Sequence, residues 1–256
     1  METTRIVIVT GGAQNIGAAI VARFKSAGDT VICADLNPPV ATGVEFHRTD
    51  VTEESSVANL MAWIAEEFGH LEVLVNNAGI SIEAPIAETT ESDWDRVMAI
   101  NVKGAFLTTK HALPLMRNSA AQGPAIVNIS SIEGLGANPL HSAYAASKAA
   151  IAAFSHNTAL EYGPYGIRCN SVAPGWINTP FNEQFLSQYP DRDAVDVAIA
   201  ALHPIGRLGT PEDVANTVFW LASSEAAFIT GQEVIVDGGR LAKLPLPDLA
   251  QDGAQQ

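Results

Sequence analysis

The chain has 256 residues, of which 47% are hydrophobic and only 16% charged, and its formal net charge is −14. An acid excess of that size repels nucleic acid and anionic membranes, so neither is expected as a partner. The length and apolar content fit one compact α/β unit whose sheet is covered on both faces.

In chain order, residues 5–9 (Arg-Ile-Val-Ile-Val) read as a buried strand, followed by a glycine-rich turn and a helix over about 16–27. Residues 30–34 form a second strand ending at Asp35, and a brief connection with two prolines leads to a short strand over 45–48. Thr52 is placed to cap a helix running to about residue 67. A fourth strand spans 71–76, a helix starts near Thr90 and runs past Asn101, and a fifth strand spans 125–129. A helix carrying Tyr144 then precedes a sixth strand over 168–173. Residues from about 180 to 205 read as a lid, Thr210-Pro211-Glu212-Asp213 as a capped helix start, and 233–236 as the last strand. Residues 241–256 form a tail of weak pattern, so residues 1–240 are expected to make one domain. This alternation predicts a doubly wound parallel β-sheet with helices on both faces and a ligand at the strand C-terminal edge.

The two cysteines, Cys33 and Cys169, lie in apolar strand-like runs and read as small buried hydrophobes. Six scattered histidines without a His/Cys cluster predict no metal site. With no basic-then-apolar leader pattern and no membrane-length apolar run, the expected location is the cytoplasm.

Three groups carry chemistry. Gly11 and Gly17 frame a strand-turn-helix, Thr10-Gly11-Gly12-Ala13-Gln14-Asn15-Ile16-Gly17, whose helix N-terminus offers free N–H groups to a pyrophosphate. Asp35, about 20 residues on, is placed to bind both ribose hydroxyls of an adenosine. It would repel a 2′-phosphate, and Gly12, Ala13, Gln14, Leu36 and Asn37 offer no cation in compensation, which favours NAD over NADP. Tyr144 and Lys148 share a helix face, where an ammonium pulls the tyrosine below its usual ~10 and suits it to trade a proton with an alcohol. Ser131 is placed to donate to the substrate oxygen.

With these, Asp50-Val51, Asn76-Asn77-Ala78-Gly79, Asn101, Pro174-Gly175 and Thr179 fall in an order that resembles the short-chain dehydrogenase/reductase family with its Rossmann fold. The match extends over residues 5–239. The resemblance implies an NAD-dependent enzyme that interconverts a secondary alcohol and a ketone, with Asn101, Ser131, Tyr144 and Lys148 as the catalytic set. It implies that Gly11, Gln14, Asn15, Ile16, Gly17, Asp35 and Leu36 hold the adenosine diphosphate half, with Asp50 and Val51 at the adenine. Asn77, Ala78 and Gly79 border the ribose. Tyr144, Lys148, Pro174, Gly175, Ile177 and Thr179 lie at the nicotinamide side, and Asn101 holds a water leading from Lys148 to solvent. Asn15 stands where the family usually has glycine, and asparagine tolerates the left-handed conformation such a turn needs. The resemblance also implies a homo-oligomer, most often a tetramer, with Ala143, Ala146, Ala149, Ala150 and Ala153 allowing close helix packing.

The substrate-facing candidates are Ser81, Ser131, Glu133, His141, Tyr144, Trp176 and Phe181. Glu133 either faces substrate, disfavouring carboxylates and favouring hydroxyl-rich or cationic molecules, or pairs with His141 and stays out of reach. A polyol, sugar or cyclic alcohol is the leading substrate class. A 3-hydroxy acid or dihydrodiol substrate, a catalytically silent NAD-binding regulator, and a nucleotide-sugar epimerase or dehydratase are the alternatives.

Overall fold

The computed structural model describes residues 4–119, 123–182, 186 and 189–243. Residues 183–185 and 187–188 of the expected lid, and 244–256 of the expected tail, lie outside the described residues.

Seven strands form one sheet: β1 (Ile6–Thr10), β2 (Thr30–Asp35), β3 (Glu45–Arg48), β4 (Val73–Asn76), β5 (Ala125–Ile129), β6 (Arg168–Pro174) and β7 (Glu233–Val236). Their order is β3-β2-β1-β4-β5-β6-β7, and every pairing is parallel. The chain therefore builds outward from β1, returns, and builds outward again from β4, leaving a crevice where the direction reverses. Register aligns the strand ends there, because Thr10 pairs with Ala34 on one side and Asn76 on the other.

Strand alternation sets the two cores. On one face Val7 and Val9 pack with Ile20, Val21 and Phe24 of α1 (Asn15–Ser26) and with Val214, Val218 and Leu221 of the last helix. On the other, Ile6 and Ile8 pack with Leu60 and Ile64 of α2 (Glu54–Glu67) and Met116 of α4 (Gly104–Asn118). Each such side chain contributes about 1.5–3 kcal/mol by leaving water. Both cysteines are free and buried, and burial pushes each thiol up to about 12, as expected of packing residues. A buried polar chain ties this face together: Asn76 donates to Asn128 at 2.8 Å, and Asn128 donates to Ser155 of α5 (Ser142–Tyr162) at 2.8 Å.

Two local expectations are corrected. Thr52 does not cap α2; the cap position is Glu53, without a side-chain bond, because the Asp50 carboxylate takes both the Thr52 N–H and its hydroxyl at 2.9 and 2.7 Å. The helix through Asn101 is not continuous: α3 (Glu91–Met98), capped by Thr90 as expected, passes through a π-helical turn (Ala99–Lys103) before α4 begins. After β6 come α6 (Arg192–Ala201) and α7 (Pro211–Leu221), the latter started by a full Thr210–Asp213 capping box. Among the described residues no helix is long and apolar enough to cross a membrane.

Candidate active site

A cleft of about 440 Å³ opens at the C-terminal edge of β1, β2, β4, β5 and β6. Gly11, Gln14, Asn15, Ile16, Gly17 and Asp35 line one end. The β1–α1 turn is tight enough that a Cβ on Gly17 would run into the Gly11 carbonyl. Asn15 holds φ 53°, the left-handed conformation expected of it. The Asn77 amide donates to the Thr10 and Gly11 carbonyls at 3.0 and 2.9 Å, so β4 pins the turn in place. No side chain caps α1, and its first turn carries no acid, which leaves free N–H groups facing the cleft. Asp35 is itself oriented, since Ala13 N–H donates to Oδ2 at 3.1 Å and Asn37 N–H to Oδ1 at 3.0 Å. This end therefore fits the diphosphate and ribose of a nicotinamide dinucleotide.

Three expected cofactor residues stand outside the cleft walls. Leu36 is exposed, Asp50 holds the Thr52 N–H and hydroxyl through Oδ1, and Val51 is buried against Gly104. One cation also stands nearer than the sequence suggested: Arg48, exposed on β3, is the register partner of Asp35.

At the other end, Ser131 follows β5, and the turn after it rests on α5. A Cβ on Gly134 would lie 2.9 Å from the Lys148 carbonyl carbon and the Ala149 nitrogen, so only glycine permits this approach. The approach brings Ser131 within hydrogen-bonding reach of Tyr144. Lys148 reaches back across the same gap: its ammonium donates to the Ile129 carbonyl at 2.8 Å and lies 5.4 Å from the Tyr144 ring centroid. Ala78, Gly79, Pro174, Gly175, Trp176, Ile177, Thr179 and Phe181 complete this part of the wall, with the Phe181 ring 6.1 Å from that of Tyr144.

The electrostatics differ from the expected pairing. Burial pushes the Tyr144 hydroxyl up, the Ser131 contact partly offsets this, and Glu133 adds a further upward push. Burial also brings Lys148 down to about 8. Desolvation thus outweighs the attraction that the i, i+4 spacing promised, because both groups sit where water is scarce.

Asn101 is a brace outside the cleft walls. Its Oδ1 accepts from Ile80 N–H, while Nδ2 donates to the Ile80 carbonyl and to Ser147, each at 2.9 Å. The π-turn aims its side chain inward, and such turns recur at functional sites.

The rim departs most from expectation. Ser81 does not line the cleft; its hydroxyl is sealed from solvent and has no hydrogen-bond partner among the described residues. Glu83, two residues on, takes its place, and Asn138, Pro139 and Leu140 join the wall. Glu133 does pair with His141, through Nδ1 at 2.9 and 3.1 Å, and also accepts from Asn138 at 3.0 Å. His141 Nε2 lies 3.5 Å from Glu83, and the two carboxylates raise the basicity of its ring. Among the described residues no group of three such side chains is arranged to hold a metal ion. Glu83 had one sequence signal, an acid just past the Asn-Asn-Ala-Gly end of β4. Leu140 had none, since its role comes from a left-handed backbone, φ 73°.

A family model described as enoyl-(acyl carrier protein) reductase matches residues 11–240. The chain belongs to the short-chain dehydrogenase/reductase family. This family member is 41% identical over 253 residues to cis-4-hydroxycyclohexanecarboxylate dehydrogenase of Sinomonas cyclohexanicum, across 93% of this chain and 97% of the relative. Its fold superposes on ligand-free aldohexose dehydrogenase of Thermoplasma acidophilum with a TM-score of 0.91 at 36% identity, covering 95% and 96% of the two chains. It also superposes on ElxO with NADP bound, with a TM-score of 0.86 at 32% identity, covering 94% and 100%. Membership makes the protein an oxidoreductase that works with a nicotinamide cofactor.

Proposed function

We propose that this dehydrogenase/reductase interconverts a secondary alcohol and a ketone with NAD, and that its substrate is a polyol, sugar or cyclic alcohol. The observation that carries the reading is the convergence of Ser131, Tyr144 and Lys148 at one end of a cleft whose other end is the uncapped α1 turn and Asp35. The bound cofactor supplies hydride acceptance or donation at the substrate carbon. In the oxidation direction Tyr144 acts as the phenolate, its own proton having passed outward to solvent, and takes the alcohol proton. Ser131 donates to the same oxygen and holds it as charge shifts. Lys148 supplies positive charge beside the phenol. The Asn101 brace fixes α5 at Ser147, next to that lysine. The second lone pair of its Oδ1 is available to a water leading outward.

NAD is favoured by Asp35, whose carboxylate would face a 2′-phosphate. Arg48, the register partner of Asp35, is a cation that could offset this, and it makes no ion pair with Asp35 among the described residues. The expected lid over about 180–205 is bracketed by one contact, in which the Asn178 N–H donates to the Gly209 carbonyl at 2.8 Å and the Gly209 N–H to the Trp176 carbonyl at 2.9 Å. A homo-oligomer, most simply a tetramer, is supported by exposed Phe106, Leu160, Trp220 and Ile235 and by Ala146, Ala149 and Ala153 on the outer side of α5. Ala143 is buried within the chain and takes no part. A cytoplasmic location completes the proposal.

The test is absorbance of reduced nicotinamide with purified protein, NAD or NADP, and a panel of polyols, sugars, hydroxy acids and cyclic alcohols. Turnover with NAD and an uncharged alcohol supports the reading. NAD binding without turnover of any member, in either direction, favours the silent regulator instead.

A further inference from the structure

Glu83 and Glu133 flank His141 on the Tyr144 side of the cleft, but the two acids are not equivalent. Both Glu133 oxygens are engaged by His141, and Oε1 also accepts from Asn138. Glu83 has one oxygen 3.5 Å from His141 Nε2 and no other partner among the described residues, while its side chain is only 16% exposed. A carboxylate accepts hydrogen bonds and donates none, so Glu83 keeps most of its capacity in a space that holds little water.

The backbone fixes that acceptor in place. The Ala84 N–H donates to the Leu140 carbonyl at 3.0 Å, stapling the loop that carries Glu83 to the loop that carries His141. Leu140 holds a left-handed conformation to make the bond, one that leucine adopts only where its surroundings impose it. The His141 ring stands edge-on to Tyr144, with centroids 6.1 Å apart. Glu83 therefore lies one ring beyond the proton-transfer site, with Ile132, Leu140, Trp176 and Phe181 giving the same cleft apolar surface.

We propose that Glu83 is the substrate-selecting acceptor of this cleft: it takes a hydrogen bond from a second hydroxyl of the substrate, remote from the carbinol that Tyr144 serves. Diols and polyols are then preferred over simple alcohols, and alcohols bearing a carboxylate are disfavoured. This rests on the alcohol/ketone reading above. A site built around a buried acceptor discriminates against an analogue lacking the donor, because the acceptor is left unpaired. A substrate carboxylate meets a like charge at that point. Glu133 serves as the anchor that orients His141.

The experiment compares kcat/KM of the full-length protein with NAD for cyclohexanol, 1,4-cyclohexanediol and 4-hydroxycyclohexanecarboxylate. Wild type, Glu83→Gln and Glu83→Leu are measured alongside their NAD affinities. Corrected for its two equivalent carbinols, the diol should exceed cyclohexanol by about tenfold in wild type, the worth of one hydrogen bond to a charged group. Glu83→Leu should collapse that ratio. Glu83→Gln keeps the shape and a neutral acceptor, so it should retain part of the ratio and raise the hydroxy acid relative to the diol. If Glu83→Leu does not fold, the isosteric Gln variant carries the test through the hydroxy-acid ratio alone. Equal use of diol and cyclohexanol by wild type, or ratios unmoved in the variants, overturns the role of Glu83 and leaves the dehydrogenase reading standing. No turnover of any alcohol or matching ketone by wild type, with NAD bound, overturns that reading and the proposal with it.

Discussion

Replacing Lys148 by methionine should make the protein more stable and less active at once. Lys148 is only 4% exposed, and burial lowers its ammonium from 10.5 to about 8. Below about pH 8 both folded and unfolded chains carry the proton, and the folded chain bears the full cost of burying it. At 1.36 kcal/mol per pH unit that cost is about 3 kcal/mol. The variant also loses the bond to the Ile129 carbonyl, worth about 1 kcal/mol. Net stabilisation near neutrality is therefore about 2 kcal/mol, or roughly 4–8 °C in Tm for a chain of this size. The sign follows from proton counts. Between the two values the unfolded chain binds more protons than the folded one, so wild-type stability climbs as pH rises from about 8 towards 10.5. The variant's advantage fades over the same window and gives way to the small deficit of the lost bond. Thermal unfolding of cofactor-free wild type and Lys148→Met, at pH steps from about 7 to 10.5, reads this directly. A variant less stable than wild type at neutral pH, or an advantage that does not shrink with rising pH, would refute the argument. Turnover should fall in the same variant, since the group held at that cost is the cation beside Tyr144.

Other outcomes follow from the same physics. Asp35→Asn keeps an acceptor but removes the charge, so it should narrow the NAD-over-NADP ratio of kcat/KM by roughly 10–100-fold, about 1–3 kcal/mol for one partly screened contact; an unmoved ratio would assign the preference to another residue. His141 is held above its ordinary value by Glu133 and Glu83. Its contribution to stability is therefore fully present below about pH 6.5 and is lost as pH rises through its folded value. The Tm gap between wild type and His141→Gln should be wider at about pH 6 than at about pH 9, and a gap independent of pH would count against the pairing.

The sheet was legible in the sequence because β1, β2, β4, β5 and β7 are short runs rich in valine and isoleucine, and because β1, β4, β5 and β6 are buried on both faces. The glycine turn and Tyr144–Lys148 were legible because local spacing fixes their geometry. The π-turn was not, since it inserts no breaker residue into an otherwise helical run. Thr52 misled because the helix begins one residue later than its capping would require, with Glu53 at the cap position and the Thr52 hydroxyl donating to Asp50. The rim was the least legible part: Ser81 and Glu83 differ by two positions on an irregular loop, and its seating, which includes the long-range Ala84–Leu140 bond, is not written in local spacing. The direction of the Tyr144 shift was misread for a related reason. Sequence spacing shows the nearby cation but not the packing that excludes water around both groups.

The most direct measurement is the turnover of Tyr144→Phe with a wild-type alcohol substrate and saturating NAD, followed at the reduced-nicotinamide band, with NAD affinity measured on the same sample. The phenyl ring fills the same space against His141 and Phe181, so NAD affinity and Tm should stay near wild type. Without a phenol oxygen to ionise and take the alcohol proton, kcat should fall by about 10²–10⁴-fold. A variant that binds NAD normally and turns over at the wild-type rate would contradict the account.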